Sequence, residues 1–178
     1  MARPISDEVI LGLLKAQPAH GYELLERFKS RSQLGHSWRM STSQLYAVLK
    51  RLERGGAITG REVTVHNAPM RIEYKITPQG DQQLESWLFD PQPSASVHRI
   101  RVLFLSRIYI ANLLNIPLEP IVEAQIVSCQ MQRERFVTQK QSYHSEIELL
   151  TLEFIITQLD AAIIWLKSNQ FQLSETTK

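Results

Sequence analysis

A chain of 178 residues with 43% hydrophobic and 21% charged residues has the composition of an ordinary globular protein of one large or two small domains. The single cysteine, Cys129, rules out an intrachain disulfide and a cysteine-held metal. With no run read as approaching the roughly 18 apolar residues of a bilayer span and no signal-peptide core, a cytoplasmic protein without a membrane partner is expected. The net charge of +2 is unevenly spread: Arg27 to Lys75 holds ten basic residues against three acids, a local +7 that leaves −5 elsewhere. Such a segment suggests a polyanion-binding surface, although a basic solvated surface is as good a reading of charge alone.

The first helix is expected over about Ser6 to Gln17. Asp7 and Glu8 suit its positive end, and Val9, Ile10, Leu13 and Leu14 share one face before Pro18 ends it. His20-Gly21-Tyr22 opens a second short helix whose buried stripe is Leu24, Leu25 and Phe28, and Trp38 and Met40 anchor the connection that follows. Ser41 with Gln44 three residues later has the form of a capping box. Leu45, Val48, Leu49 and Leu52 then make a core stripe, and Gly55-Gly56 ends the third helix.

The opposite face of that helix is Ser43, Ala47, Lys50 and Arg54, flanked by Gln44, Tyr46 and Arg51. It is short and polar near its start and basic toward its end. A recognition helix needs this order, because its first residues approach base edges while later cations reach phosphates. A generic amphipathic helix would look similar in isolation. Val63 and Val65 alternate with Thr64 and His66, Asn67-Ala68-Pro69 signals a turn, and Ile72, Tyr74 and Ile76 alternate with Arg71, Glu73 and Lys75. A hairpin over 61–76 is expected, followed by a fourth helix capped at Thr77-Pro78 and running to about Phe89. Three helices, a hairpin and a helix spell a winged helix-turn-helix.

Beyond Asp90 to Ser96, a short linker, everything reads as helix. Arg99 to about Leu114 carries Ile100, Leu103, Phe104 and Ile108, Pro117 and Pro120 mark a break, and Gln130 to Ser145 is strongly polar. Leu149 to Leu166 is apolar almost all round, more than one buried face requires. Leu152, Phe154, Ile155, Ile156, Leu159, Ile163, Ile164 and Trp165 are therefore expected to form a homodimer interface, with an intramolecular bundle as the rival arrangement. The fold class expected is mainly α with a small β-hairpin wing. A DNA-binding domain over 1–90, a linker over 91–97 and a helical dimerisation domain over 98–178 follow.

Ile10-Leu11-Gly12-Leu13-Leu14, His20-Gly21-Tyr22-Glu23-Leu24, Ser41-x-x-x-Leu45-Tyr46, Leu49-x-x-Leu52-Glu53 and Tyr74-x-Ile76-Thr77-Pro78-x-Gly80 resemble the PadR family of bacterial transcriptional regulators. The likeness is close over residues 5–90 and holds in outline beyond. It implies a homodimer that binds double-stranded DNA at palindromic operators, commonly as a repressor, and it leaves a small-molecule effector open without naming one. The DNA-contacting set it implies, together with the helix reading, is Tyr22, Ser41, Thr42, Ser43, Gln44, Tyr46, Ala47, Lys50, Arg51, Arg54, His66, Asn67 and Arg71. Relatives often carry several cations near the wing tip, where this chain has only Arg71, so an interaction module that has lost DNA binding is the runner-up.

An enzyme is disfavoured. His20, His36, His66, His98 and His144 lack metal-ligand spacing, and no phosphate loop or nucleophile motif is present. No cofactor or metal is expected. Cys129 is read as a small buried residue, with an exposed redox-sensing thiol as the lesser alternative.

Overall fold

In a computed structural model the chain is described over residues 6–30, 34–36, 39–63, 71–142 and 145–175. Helix α1 (Ser6–Ala16) starts with two acids in its first turn, and strand β1 (Ala19–His20) follows. Helix α2 (Gly21–Lys29) buries Leu24, Leu25 and Phe28, as its spacing predicts. Met40 is buried in the connection, while Trp38 lies outside the described residues.

Helix α3 (Thr42–Arg54) is closed at its start by the reciprocal pair the sequence announced. The Gln44 amide donates to Ser41 Oγ at 3.2 Å, and the Ser41 amide donates to Gln44 Oε1 at 2.9 Å. Leu45, Val48, Leu49 and Leu52 are buried. At about 1.5–3 kcal/mol for each fully buried side chain, that stripe outweighs any propensity term in fixing which face of α3 turns inward. Gly56, at φ +70°, makes the left-handed turn that a side chain would strain.

Strands β2 (Ile58–Val63) and β3 (Arg71–Ile76) pair antiparallel, with Gly60 opposite Tyr74 and Val63 opposite Arg71. β1 adds to the other edge of β3, giving the order β1-β3-β2. The first strand of the hairpin thus starts at Ile58, ahead of the expected Arg61, because Ile58 is core and its register with Ile76 is set by burial. The third strand was not anticipated. At two residues it shows no alternation to read.

Helix α4 (Pro78–Leu88) is capped by Thr77, whose hydroxyl accepts from the Gly80 amide at 3.2 Å. Helices α5 (Val97–Leu113), α6 (Glu119–Lys140) and α7 (Glu146–Glu175) complete the chain. The core is continuous from winged helix to helical half: Val9, Ile10 and Leu45 belong to one cluster with Phe104, Ile110, Ile126, Leu159 and Ile163.

One expectation is corrected. Within α7, Glu146–Asn169 is long and apolar enough, by length and composition, to cross a membrane. Glu153 and Asp160 are the only charged residues from Leu149 to Leu166, and with Thr151, Thr157 and Gln158 they concealed the segment from a reading by unbroken runs. Both acids are engaged by α6: Lys140 Nζ lies 2.5 Å from Glu153, and Arg133 pairs with Asp160.

Candidate nucleic-acid interface

The outward face of α3 is solvent-exposed from end to end. Ser41, Thr42, Ser43, Gln44, Tyr46, Ala47, Lys50, Arg51 and Arg54 are all exposed, while the four apolar residues between them are buried. Ser41 and Gln44 are partly spent on each other, and Ser43 Oγ sits 3.1 Å from Ser41 Oγ. Thr42 and Ala47 present small side chains that let the helix axis come close to a partner. Among the described residues neither Lys50 nor Arg54 forms an ion pair. Two uncompensated cations one turn apart are suited to polyanion contact.

Arg51 is placed differently. Its Nε donates to Asp7 Oδ2 at 3.0 Å and its Nη2 binds Asp7 Oδ1, a two-pronged pair with a buried carboxylate. The hydrogen bond to Asp7 raises the Arg51 pKa, with the nearby Glu8 charge adding in the same direction. The sequence reading put Arg51 with Lys50 and Arg54 because all three are basic and share a helix. Asp7 lies 44 positions away, so no local spacing could have revealed the pair.

Beside α3, the start of α2 and the base of the hairpin form a shallow depression of about 470 Å³ lined by His20, Tyr22, Tyr46, Arg71 and Tyr74. The Arg71 guanidinium lies over the Tyr22 ring, 5.2 Å from its centroid, and Arg71 Nη1 donates to the Tyr22 hydroxyl at 3.3 Å. The His20 ring stacks on the other neighbour of this group, 6.0 Å from Tyr22 with 8° between the planes. His20 Nδ1 donates to the Ile72 carbonyl at 3.0 Å, and the His20 amide donates to Glu23 Oε2 at 2.7 Å. Gly21 leaves room for Tyr46, whose ring atoms would stand 3.0–3.1 Å from a β-carbon there. The His-Gly-Tyr and Leu-Tyr pieces are therefore two sides of one contact. The depression brings a cation and two phenol hydroxyls to the flank of the helix that carries Lys50.

His66 and Asn67 lie outside the described residues. Sequence reasoning omitted His20 and the exposed strand cations Arg61 and Lys75. For Arg61 and Lys75 the available signal was their presence in the basic segment, which His20 precedes.

The predicted interface residues of α7 divide into three groups. Leu152, Leu159 and Ile163 are buried within the chain, whereas Phe154, Ile164 and Trp165 are 61%, 66% and 47% exposed. Ile155 and Ile156 are half-buried. Among the described residues no group of three or more His, Cys, Asp or Glu could hold a metal ion.

Three helices with a sheet-borne hairpin after the third, and a fourth helix returning across its base, define a winged helix-turn-helix protein. Residues 10–86 match the family described as transcriptional regulator PadR-like. The negative transcriptional regulator PadR of Bacillus subtilis is 37% identical over 84 residues, 47% of this chain and 45% of that protein. The probable transcriptional regulator Rv1176c of Mycobacterium tuberculosis is 33% identical over 82 residues, 46% of this chain and 42% of that one. The matched segment is thus less than half the length of either relative. Among solved structures, B. subtilis PadR in complex with operator DNA aligns with a TM-score of 0.48 at 22% identity, over 96% of this chain and 99% of that one. The PadR-like regulator BC1756 of Bacillus cereus aligns with a TM-score of 0.44 at 21% identity, over 97% of each.

Proposed function

We propose that this chain is a DNA-binding transcriptional regulator, acting as a repressor, that reads a palindromic operator as a homodimer. Helix α3 enters the major groove and the hairpin 61–76 serves as the wing. The observation that carries the reading is the outward face of α3, exposed along its length, small and polar at its start, with Lys50 and Arg54 uncompensated at its end. The match of residues 10–86 to the PadR-like family supports it, as do two regulators similar in that segment, whose names describe them as transcriptional. Transcriptional regulation is the activity of the whole protein in this reading, with no reaction catalysed, and the cytoplasm is where it works.

The dimer is supported by α7. Two of its acids, Glu153 and Asp160, are drawn to α6, and its apolar side chains Phe154, Ile164 and Trp165 remain largely exposed within the described chain. A second copy covers them and sets two recognition helices about 34 Å apart, one turn of DNA. An effector, where one acts, is best accommodated in the cleft of about 810 Å³ between the 92–98 segment, α6 and α7. Met131, Phe136 and Phe154 offer it apolar surface, and Arg135 and His98 offer polar groups.

The test is fluorescence anisotropy of labelled duplex DNA from upstream of the chain's own gene, and of scrambled duplex, at two salt concentrations. Lys50→Gln with Arg54→Gln is expected to weaken binding to both duplexes and flatten its salt dependence, with dimerisation intact. Wild-type protein that binds neither duplex at low salt would establish the interaction-module reading instead.

A further inference from the structure

The buried polar or charged residues among those described are Asp7, Glu8, Ser106, Arg107 and Gln125. Asp7 and Glu8 are consecutive on α1, so their side chains leave the helix about 100° apart and face different neighbours. Asp7 holds Arg51 of the recognition helix through both carboxylate oxygens. Glu8 accepts from Gln83 Nε2 of α4 at 3.3 Å, and its charge is felt by both Arg51 and Arg107. Arg107 of α5 is 4% exposed, its guanidinium 5.3 Å from the Trp87 ring centroid and 4.0 Å from Asp90. Its Nε has no hydrogen-bond partner among the described residues. Burial lowers the Arg107 pKa, while Asp90 and Glu8 oppose that shift. Asp7 thus ties α1 to the recognition helix α3, and Glu8 ties α1 to α4.

We infer that Asp7 is a positioning residue for DNA recognition, a joint that fixes the recognition helix α3 on α1, which itself packs on α5 through Gly12 and Ile110, without touching DNA. The inference rests on the proposed DNA-binding function and extends it. Apolar residues would hold these helices together as firmly. What a two-pronged carboxylate–guanidinium pair adds is direction, because both bonds must align at once. Arg51 is a strut in this arrangement and not a phosphate ligand.

The experiment uses full-length protein, an arbitrary 30-base-pair duplex, and a duplex enriched from a random pool by the wild type. Arg51→Gln is expected to leave the salt slope on the arbitrary duplex unchanged, whereas Lys50→Gln lowers it by about one phosphate contact per protomer. Asp7→Asn, which releases Arg51, is expected to raise that slope. Discrimination for the enriched duplex is expected to fall about three- to thirtyfold in Arg51→Gln and Asp7→Asn alike. Asp7→Glu, which keeps the charge, is expected to recover part of it and serves where Asp7→Asn does not fold. A fall in salt slope with Arg51→Gln equal to that with Lys50→Gln would make Arg51 a phosphate contact and overturn the joint alone. Wild-type protein that binds no duplex would overturn the DNA-binding reading, and the joint with it.

Discussion

Gly12 of α1 faces Ile110 of α5 so closely that a β-carbon on Gly12 would stand 2.4 Å from Ile110 Cγ2. Ile110 is fully buried and its Cγ2 is not a flexible tip, so it has nowhere to move. In an isolated helix Gly12→Ala would add about 1 kcal/mol of stability. Here the clash is expected to win, since overpacking a tight core costs about 1–3 kcal/mol. Urea unfolding should show a net loss. Ile110→Ala opens a cavity worth about 2–5 kcal/mol by itself. In the double variant the new methyl group enters that space, so the two losses should sum to more than the double variant loses. Strict additivity would show that α1 and α5 do not meet through this pair.

Tyr22 and Arg71 offer a separate prediction on the side proposed to face DNA. Tyr22→Phe keeps the ring beneath the guanidinium and removes only the hydroxyl that accepts from Arg71. Tyr22→Ala removes both. A cation–π contact at an exposed site is worth about 0.5–1 kcal/mol, so Tyr22→Ala should weaken duplex binding by roughly that amount more than Tyr22→Phe. Anisotropy titrations at one fixed salt concentration decide it. Equal losses in the two variants would assign the effect to the hydroxyl alone.

How far these sites were legible depends on the range of the interactions that form them. The capping box of Ser41 and Gln44 spans three residues and its chemistry is fully local, so it could be read from the chain. The stripe of Leu45, Val48, Leu49 and Leu52 carries its own period. The Asp7–Arg51 pair has no such signature, and Arg51 was read by its charge as a DNA contact. Strand β1 exists only because β3 offers it an edge, opposite Tyr74 and Glu73. Helix α7 was read as apolar nearly all round, and so it is. Which of its faces is covered depends on where α6 lies, and that is set by pairs such as Lys140 with Glu153.

That division of α7 makes a prediction about assembly. Ile164 is exposed and Leu159, five residues earlier, is fully buried in the chain's own core. Ile164→Lys should leave helicity and the unfolding midpoint of the protomer nearly unchanged while shifting the molecular mass in solution from dimer to monomer. Leu159→Lys should unfold the helical half, because an unpaired ammonium cannot be accommodated there. Light scattering with circular dichroism on both variants separates the outcomes. A dimer that survives Ile164→Lys would place the interface elsewhere.

Cys129 is fully buried on α6, with Gln125 Nε2 3.5 Å from its sulfur. Burial pushes its thiol pKa up, and the Gln125 contact only partly opposes this. The thiolate is the reactive form, so the native protein should resist iodoacetamide at pH 8 and react quickly once unfolded in urea. The same shift has a consequence for stability. Above about pH 8.5 an unfolded chain has begun to lose this proton while the folded chain keeps it. The folded state then binds more protons, and stability must fall as pH rises through that range. Burial raises the Tyr74 pKa as well, which adds a loss of the same sign from about pH 10 upward. Urea midpoints should therefore decline between pH 8 and pH 10, and Cys129→Ala should make the decline shallower. Rapid alkylation of the native protein at pH 8 would show an accessible thiolate and restore the redox-sensing alternative for Cys129.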